Sequence, residues 1–321
     1  MVRVGVPEVY DSEWLKLFPS SAEIVRLPRE PEPATRVDFW IPPLFAKQVK
    51  TMFPQLEGVK VVQSLWAGVD LLVEMMPPGV TVCDAQGAHN TATSEWVVMA
   101  ILAMLKYIPL YGDVQRSGDW RRRSEADQAF QDIHHLRQVF YPSVQIEVLS
   151  GMKVLIVGYG SIGRSIEDRL APFEVEIVRV ARRARVGVEP ISRLRELLPS
   201  ADVVVLIVPQ TPQTTGLIGS EEIALMKQGA LLVNAARGPV VVTEALLAAL
   251  NAGKIRAAVD VTDPEPPPKN HPLWQAPNLL ITPHVAASSA NCLDRPMRFA
   301  AEQVERYIKG EPLKNIAVDG Y

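Results

Sequence analysis

Val154-Leu-Ile-Val157-Gly158-Tyr-Gly160-Ser161-Ile162-Gly163-Arg-Ser-Ile-Glu-Asp-Arg169 decides how the rest of the chain is read. Four apolar residues run into three glycines and then into a helix-compatible segment, the strand, turn and helix of a dinucleotide-binding unit. Gly158 permits a tight turn, Gly160 leaves room for a pyrophosphate against the backbone, and Gly163 lets the helix pack close to the strand. Ser161, Ile162 and Gly163 open the helix, so their backbone N–H groups face the phosphates. A second apolar run at 175–180 follows, as a βαβ unit requires.

Working outward, 321 residues suit two domains of ordinary size. A formal charge of −3 gives no electrostatic reason for binding nucleic acid or an anionic membrane. Cys83 and Cys292 are the two cysteines and have no metal-like spacing, which argues against a disulfide framework or zinc site and for a reducing interior. The N-terminus lacks the basic start and apolar core of a secretory signal, and the apolar run at 96–105 is too short to span a bilayer. The expectation is a cytoplasmic protein.

Val2, Val4 and Val6 alternate as in a half-buried strand that Pro7 ends. A helix at 12–18, an apolar patch at 37–41 and strands at 59–65 and 80–82 suggest a small α/β domain. A buried helix is expected at 95–107. Residues 117–142 show little periodicity and read as a long excursion, with an extended loop at about 117–146 and an added loop or short helix expected between Trp120 and Glu147. Arg121, Arg122 and Arg123 there suit a solvated face, an intersubunit salt-bridge patch or anion recruitment. His134 and His135 suit a surface or packed loop better than a metal site. From Gly151 onward strands at 154–157, 175–180, 203–208, 230–233, 257–261 and 279–281 alternate with helices, including one at 191–198. This specifies a parallel sheet covered on both faces.

In such sheets ligands sit at the carboxyl ends of the strands. Three clusters follow three successive strands: Asn234 to Gly238, Asp260 to Pro266, and Thr282-Pro283-His284. Arg237 can hold a small carboxylate in a two-pronged hydrogen bond and polarise an adjacent carbonyl. His284 can give a proton to an oxygen as hydride reaches carbon. Glu265, bonded to the other imidazole nitrogen, would fix the tautomer and raise the pKa.

These pieces, with residues 65–70 and 246–254, resemble the D-isomer specific 2-hydroxyacid dehydrogenase family from about residue 60 to the C-terminus; the look is closest to NADPH-dependent glyoxylate/hydroxypyruvate reductases. The resemblance implies an α/β protein with a Rossmann-type doubly wound dinucleotide-binding domain at 99–289. It also implies a smaller, discontinuous, flavodoxin-like α/β substrate domain at 1–98 and 290–321, with the active site in the cleft between them. Arg237, Glu265 and His284 would be the catalytic residues. The N–H groups of Ala67 and Gly68 would bind the substrate carboxylate beside Trp66. Asp260 would lie beside the nicotinamide carboxamide, with Pro209 and Ala235 flanking the cofactor. Homodimers joined through the nucleotide domain and the excursion are common in the family. Its fold also serves as a nucleotide-sensing corepressor, which is the competing non-enzymatic reading.

Two departures set the details. An NAD enzyme of this kind ends the second strand with an acidic residue; here Ala181 stands there, followed by Arg182 and Arg183. Without a repelling carboxylate, and with two guanidiniums, NADP(H) is expected over NAD(H). Glu174 stands where the family has glycine. Trp66 suggests a small pocket, favouring glyoxylate or hydroxypyruvate over phosphorylated acids, with a broader 2-oxo acid reductase as the alternative.

Overall fold

The computed structural model describes residues 1–134 and 146–317, and the chain divides into two compact units. The terminal unit is Met1–Asn90 with Ser288–Tyr321, and the central unit is Thr91–Ala287. The first division falls ahead of the expected 98/99 boundary. The helix Asn90–Leu105 is continuous, and its Trp96, Val97, Ala100, Ile101 and Met104 pack in the central unit's core. The second division falls just before the expected 289/290.

The central unit holds a seven-stranded parallel sheet. Its strands lie in the order Glu189–Pro190, Glu176–Ala181, Lys153–Val157, Val203–Leu206, Ala230–Asn234, Ile255–Val259, Leu279–Ile281. The first three run in reverse chain order and the last four in chain order, so the topological switch lies between Lys153–Val157 and Val203–Leu206, as in a Rossmann fold. Successive side chains of a strand point to opposite faces, and both faces are covered. Leu155, Val157, Val204, Leu206 and Leu232 enter one core, while Val154, Ile156, Val203, Val205 and Leu231 enter the other. That is why these strands are unbroken apolar runs. Each such buried side chain contributes about 1.5–3 kcal/mol.

The terminal unit has a five-stranded parallel sheet ordered Ala22–Leu27, Val2–Pro7, Phe39–Trp40, Val61–Gln63, Thr81–Cys83. This is the flavodoxin-like order. Val4, Val6, Phe39 and Val61 face a core completed by Met297, Ala300 and Val304 of the helix Asp294–Lys309. Leu27, Trp40, Val62 and Val82 face the other side. Buried Gln303 of the same helix donates to Gln63 at 3.1 Å, which ties the C-terminal segment to the N-terminal sheet. Among the described residues, no single helix is long and apolar enough to cross a membrane.

One local expectation changes and two others take a definite form. The helix expected at 191–198 is a set of short turns, Ile191–Arg193, Leu194–Leu197 and Leu198–Ser200, because Pro190 and Pro199 bracket it. The loop expected at 117–146 contains a turn, Trp120–Arg123, and a helix, Ser124–His134. Ala126, Ala129, Phe130 and Ile133 recur at helical spacing and pack with Tyr107, Leu110 and Tyr111. The run is too short to stand out among its polar neighbours. His135 and the remainder of this stretch to residue 145 lie outside the described residues, as does the His134 side chain. The chain then returns through half-buried Glu147, whose carboxylate holds buried Arg256 on the strand Ile255–Val259 at 2.5 and 2.9 Å. Finally, Glu174 takes φ 58° ahead of the strand Glu176–Ala181, the left-handed conformation that glycine adopts without strain.

Candidate active site

All seven strands of the central sheet are parallel, so one edge receives every loop that follows a strand. Lys153–Val157 delivers the glycine turn. Gly158 has φ 107°, and a Cβ there would sit 2.6 Å from the Ile207 backbone. A Cβ on Gly163 would sit 2.8 Å from the Gly158 carbonyl oxygen. Both positions therefore demand glycine. Gly160 differs: nothing lies within 4 Å of where its Cβ would be. That open space lies at the N-terminus of the helix Ser161–Leu170, where Gly160 is the cap and no side chain satisfies the first N–H groups. The residues present fit a pyrophosphate.

Arg182 and Arg183 follow the strand Glu176–Ala181 and are exposed. Next to them, the Arg185 guanidinium donates to the Tyr159 carbonyl oxygen and lies 5.7 Å from the centre of the Tyr159 ring. Arg179 lies at the same distance from that ring and pairs with Glu167. Pro209 is exposed beyond the strand Val203–Leu206, and its carbonyl accepts from Thr214 at 2.7 Å.

Three further strands bring the expected chemical groups to the same edge. After Ala230–Asn234, the Asn234 side chain accepts from Ala236 N–H and donates to the Arg237 carbonyl, both at 3.0 Å. This clamp shapes Ala235, Ala236 and Arg237 into a fixed turn. Gly238 then passes so close to the next loop that a Cβ would lie 1.9 Å from the Thr262 carbonyl oxygen. That loop carries Glu265. After Leu279–Ile281 comes His284, with φ 55°.

Asp260 organises the last turn. Its carbonyl accepts from His284 N–H at 2.7 Å. Its buried carboxylate accepts from Thr282 Oγ1 at 2.6 Å and from the N–H groups of Val285 and Ala286, each at 2.8 Å. Asp260 is thus committed to the His284 turn. Asn234 and Thr282 were not singled out as site residues in the sequence, although an Asn at a strand end leading into a turn is the pattern of an Asx clamp.

His284 Nδ1 and Glu265 Oε1 are 2.6 Å apart. The carboxylate can only accept, so Nδ1 carries the hydrogen and Nε2 is the nitrogen left to exchange a proton. The hydrogen bond that His284 donates to Glu265, outweighing desolvation, raises the imidazole above its ordinary pKa. Burial pushes the Glu265 carboxyl up, but His284 and, more weakly, Arg237 pull it below its ordinary value. The two shifts agree on an imidazolium–carboxylate pair beside a guanidinium. This is a proton donor and an anion-binding group on the nucleotide-binding edge of a Rossmann sheet.

A profile described as the NAD binding domain of D-isomer specific 2-hydroxyacid dehydrogenases matches residues 98–286, more than half of the chain. The chain belongs to this family, and it is an oxidoreductase.

This 2-hydroxyacid dehydrogenase is 33% identical over 263 residues to a glyoxylate reductase of Thermofilum pendens, covering 79% of this chain and 73% of the relative. It is 32% identical over 280 residues to a D-3-phosphoglycerate dehydrogenase of Methanocaldococcus jannaschii, covering 84% of this chain but about half, 49%, of that relative's length. Among solved structures, an NADPH-dependent glyoxylate/hydroxypyruvate reductase of Sinorhizobium meliloti in complex with NADP and sulfate aligns over 100% of both chains at 25% identity and TM-score 0.80. A D-isomer specific 2-hydroxyacid dehydrogenase of Xanthobacter autotrophicus, in complex with NADPH and MES, aligns over 100% of both chains at 27% identity and TM-score 0.77.

The remaining expected site residues, Trp66, Ala67 and Gly68, belong to the terminal unit, on the loop after Val61–Gln63. Ser64 Oγ accepts from Trp66 N–H at 2.9 Å and begins that loop. A cavity of about 570 Å³ lies elsewhere in the central unit, lined by Tyr111, Val114, Gln115, Gly118, Trp120 and Arg123. None of the strand-end residues of this dehydrogenase lines it. Arg121 and Arg122 pair locally with Asp119 and Glu125.

Proposed function

We propose that this dehydrogenase reduces a small 2-oxo acid to the D-2-hydroxy acid, with glyoxylate and hydroxypyruvate as its substrates and NADPH preferred to NADH. The observation that carries the reading is the 2.6 Å His284–Glu265 pair at the sheet edge that also bears Arg237 and the glycine turn. When bound, the reduced nicotinamide supplies a hydride to the carbonyl carbon. Arg237 holds the substrate carboxylate in a two-pronged hydrogen bond and polarises the carbonyl. His284 Nε2–H gives its proton to the carbonyl oxygen, which completes the hydroxyl, and Glu265 stabilises the imidazolium until that transfer. In the reverse direction the neutral imidazole takes the proton back. The N–H groups of Ala67 and Gly68 assist in binding the carboxylate.

The cofactor preference rests on Ala181, which puts no carboxylate at the end of its strand, and on Arg182 and Arg183 just beyond. The names of the Thermofilum and Sinorhizobium proteins support the substrate reading. We further propose a homodimer, supported by the exposed apolar side chains Met99 and Ile108 on the helices before the excursion and Trp120, Ile146 and Val148 in it or just after it. The free cysteines, with Cys83 buried, support a cytoplasmic location.

The test follows the loss of reduced-cofactor absorbance with glyoxylate, hydroxypyruvate, pyruvate and phenylpyruvate, each with NADPH and with NADH. Rapid NADPH oxidation by glyoxylate and hydroxypyruvate is expected. Tight cofactor binding without turnover of any acid would overturn the reading in favour of a nucleotide-sensing protein.

A further inference from the structure

At the carboxyl edge of the terminal sheet, the adjacent strands Val61–Gln63 and Thr81–Cys83 deliver two loops that bind each other. The Ala85 N–H donates to the Trp66 carbonyl at 3.0 Å, and His89 Nε2 lies 2.8 Å from the Leu65 carbonyl oxygen. The His89 and Trp66 rings stack, with centroids 4.6 Å apart and planes 25° apart. His89 is 5% exposed. Such a histidine is fixed on one nitrogen and on one face.

Its chemistry follows from the partner. A carbonyl oxygen only accepts, so Nε2 carries the hydrogen and Nδ1 keeps a lone pair. Burial pushes the imidazole below its ordinary pKa, which outweighs the Leu65 bond and keeps the ring neutral. Among the described contacts, Nδ1 has no protein partner. A rigid, neutral acceptor therefore stands beside the residue that precedes Ala67 and Gly68, the amides read above as holding the substrate carboxylate.

An acceptor at this place discriminates by what a 2-oxo acid carries on C3. Glyoxylate has no C3, and pyruvate has a methyl group that donates nothing. Hydroxypyruvate has a hydroxyl, a donor two carbons from its carboxylate. We propose that His89 Nδ1 accepts a hydrogen bond from the C3 hydroxyl of the substrate while the Trp66 indole covers the C3 methylene, so that the enzyme selects 3-hydroxylated 2-oxo acids. This inference rests on the reading of the protein as a 2-oxo acid reductase and narrows its substrate class. Sites built to bond a hydroxyl reject the analogue lacking it more strongly than apolar pockets reject a changed methylene.

The experiment measures kcat/KM with hydroxypyruvate and with pyruvate for the wild type, His89→Gln and His89→Phe. Glutamine keeps an N–H for the Leu65 carbonyl and lacks an acceptor at the Nδ1 position; phenylalanine keeps the stack on Trp66 and lacks both nitrogens. The wild type is expected to favour hydroxypyruvate at least about tenfold, the weight of roughly 1.4 kcal/mol. Both variants are expected to lose most of that ratio. A purely structural histidine would lower both substrates together and leave the ratio unchanged, which would overturn the inference while the reductase reading stands. A wild-type preference for phenylpyruvate would also overturn it, and would point to Val9 and Phe45, exposed apolar residues on the loops after Val2–Pro7 and Phe39–Trp40 at the same edge. Turnover of no acid at all would overturn both readings.

Discussion

His284 Nδ1 and Glu265 Oε1 lie 2.6 Å apart although the two residues come from loops after different strands. In the proposed reaction, reduction needs the imidazolium, whose pKa the carboxylate raises above the ordinary histidine value. The reductive kcat/KM should therefore be level at low pH and fall as pH rises through the raised pKa, whereas oxidation of the hydroxy acid should rise through the same point. Glu265→Gln removes the charge that favours the imidazolium, so the falling limb should move to lower pH. An unmoved limb in pH profiles of the two proteins would sink the assignment.

Asp260 acts on His284 through the backbone. Its carboxylate collects Thr282, Val285 and Ala286, and Asp260→Asn turns part of that acceptor surface into a donor facing other donors. Leaving such groups unsatisfied costs about 1–3 kcal/mol. The variant should melt earlier and lose kcat by about tenfold or more, with cofactor affinity changing far less. Comparing kcat with cofactor binding by fluorescence checks this; lost affinity with intact kcat would assign Asp260 to the cofactor instead.

The pair Arg182 and Arg183 should set the choice between the two nicotinamide cofactors. Replacing both by alanine removes donors to a 2′-phosphate, and Ala181→Asp adds a carboxylate that repels it. Combined, these changes should lower the NADPH-to-NADH ratio of kcat/KM by at least about tenfold. A ratio that does not move would show that the two arginines do not hold a 2′-phosphate.

Glu174 sits at φ 58°, where an L side chain is strained by roughly 1–2 kcal/mol. Its side chain offers one exposed bond in return, from Ser150 Oγ at 2.9 Å. Glu174→Gly should stabilise the protein by about 1 kcal/mol, raising Tm by roughly 2–4 °C. Calorimetry showing a lower Tm would mean that the Ser150 bond outweighs the backbone strain.

Much of this was legible in the sequence. The parallel sheet followed from unbroken apolar runs, since a strand covered on both faces has no polar side to display. Gly158 and Gly163 carried the nucleotide turn because close approaches of 2.6 and 2.8 Å exclude a side chain there. Arg237, Glu265 and His284 were visible because each follows a strand, and parallel strands share an edge. The bounds of the helix Ser124–His134 were not legible, because two alanines, a phenylalanine and an isoleucine among charged and polar residues give little periodic signal.

The sequence by itself determined the elements, the order of the strands' chemistry and the family, because these depend on local pattern and spacing. Only the tertiary structure decided which groups pair. Asp260 proved to hold the His284 turn, and His89 to stack on Trp66. These are contacts between loops distant or unpatterned in sequence, fixed by sheet register and by the few directions in which a hydrogen bond can form.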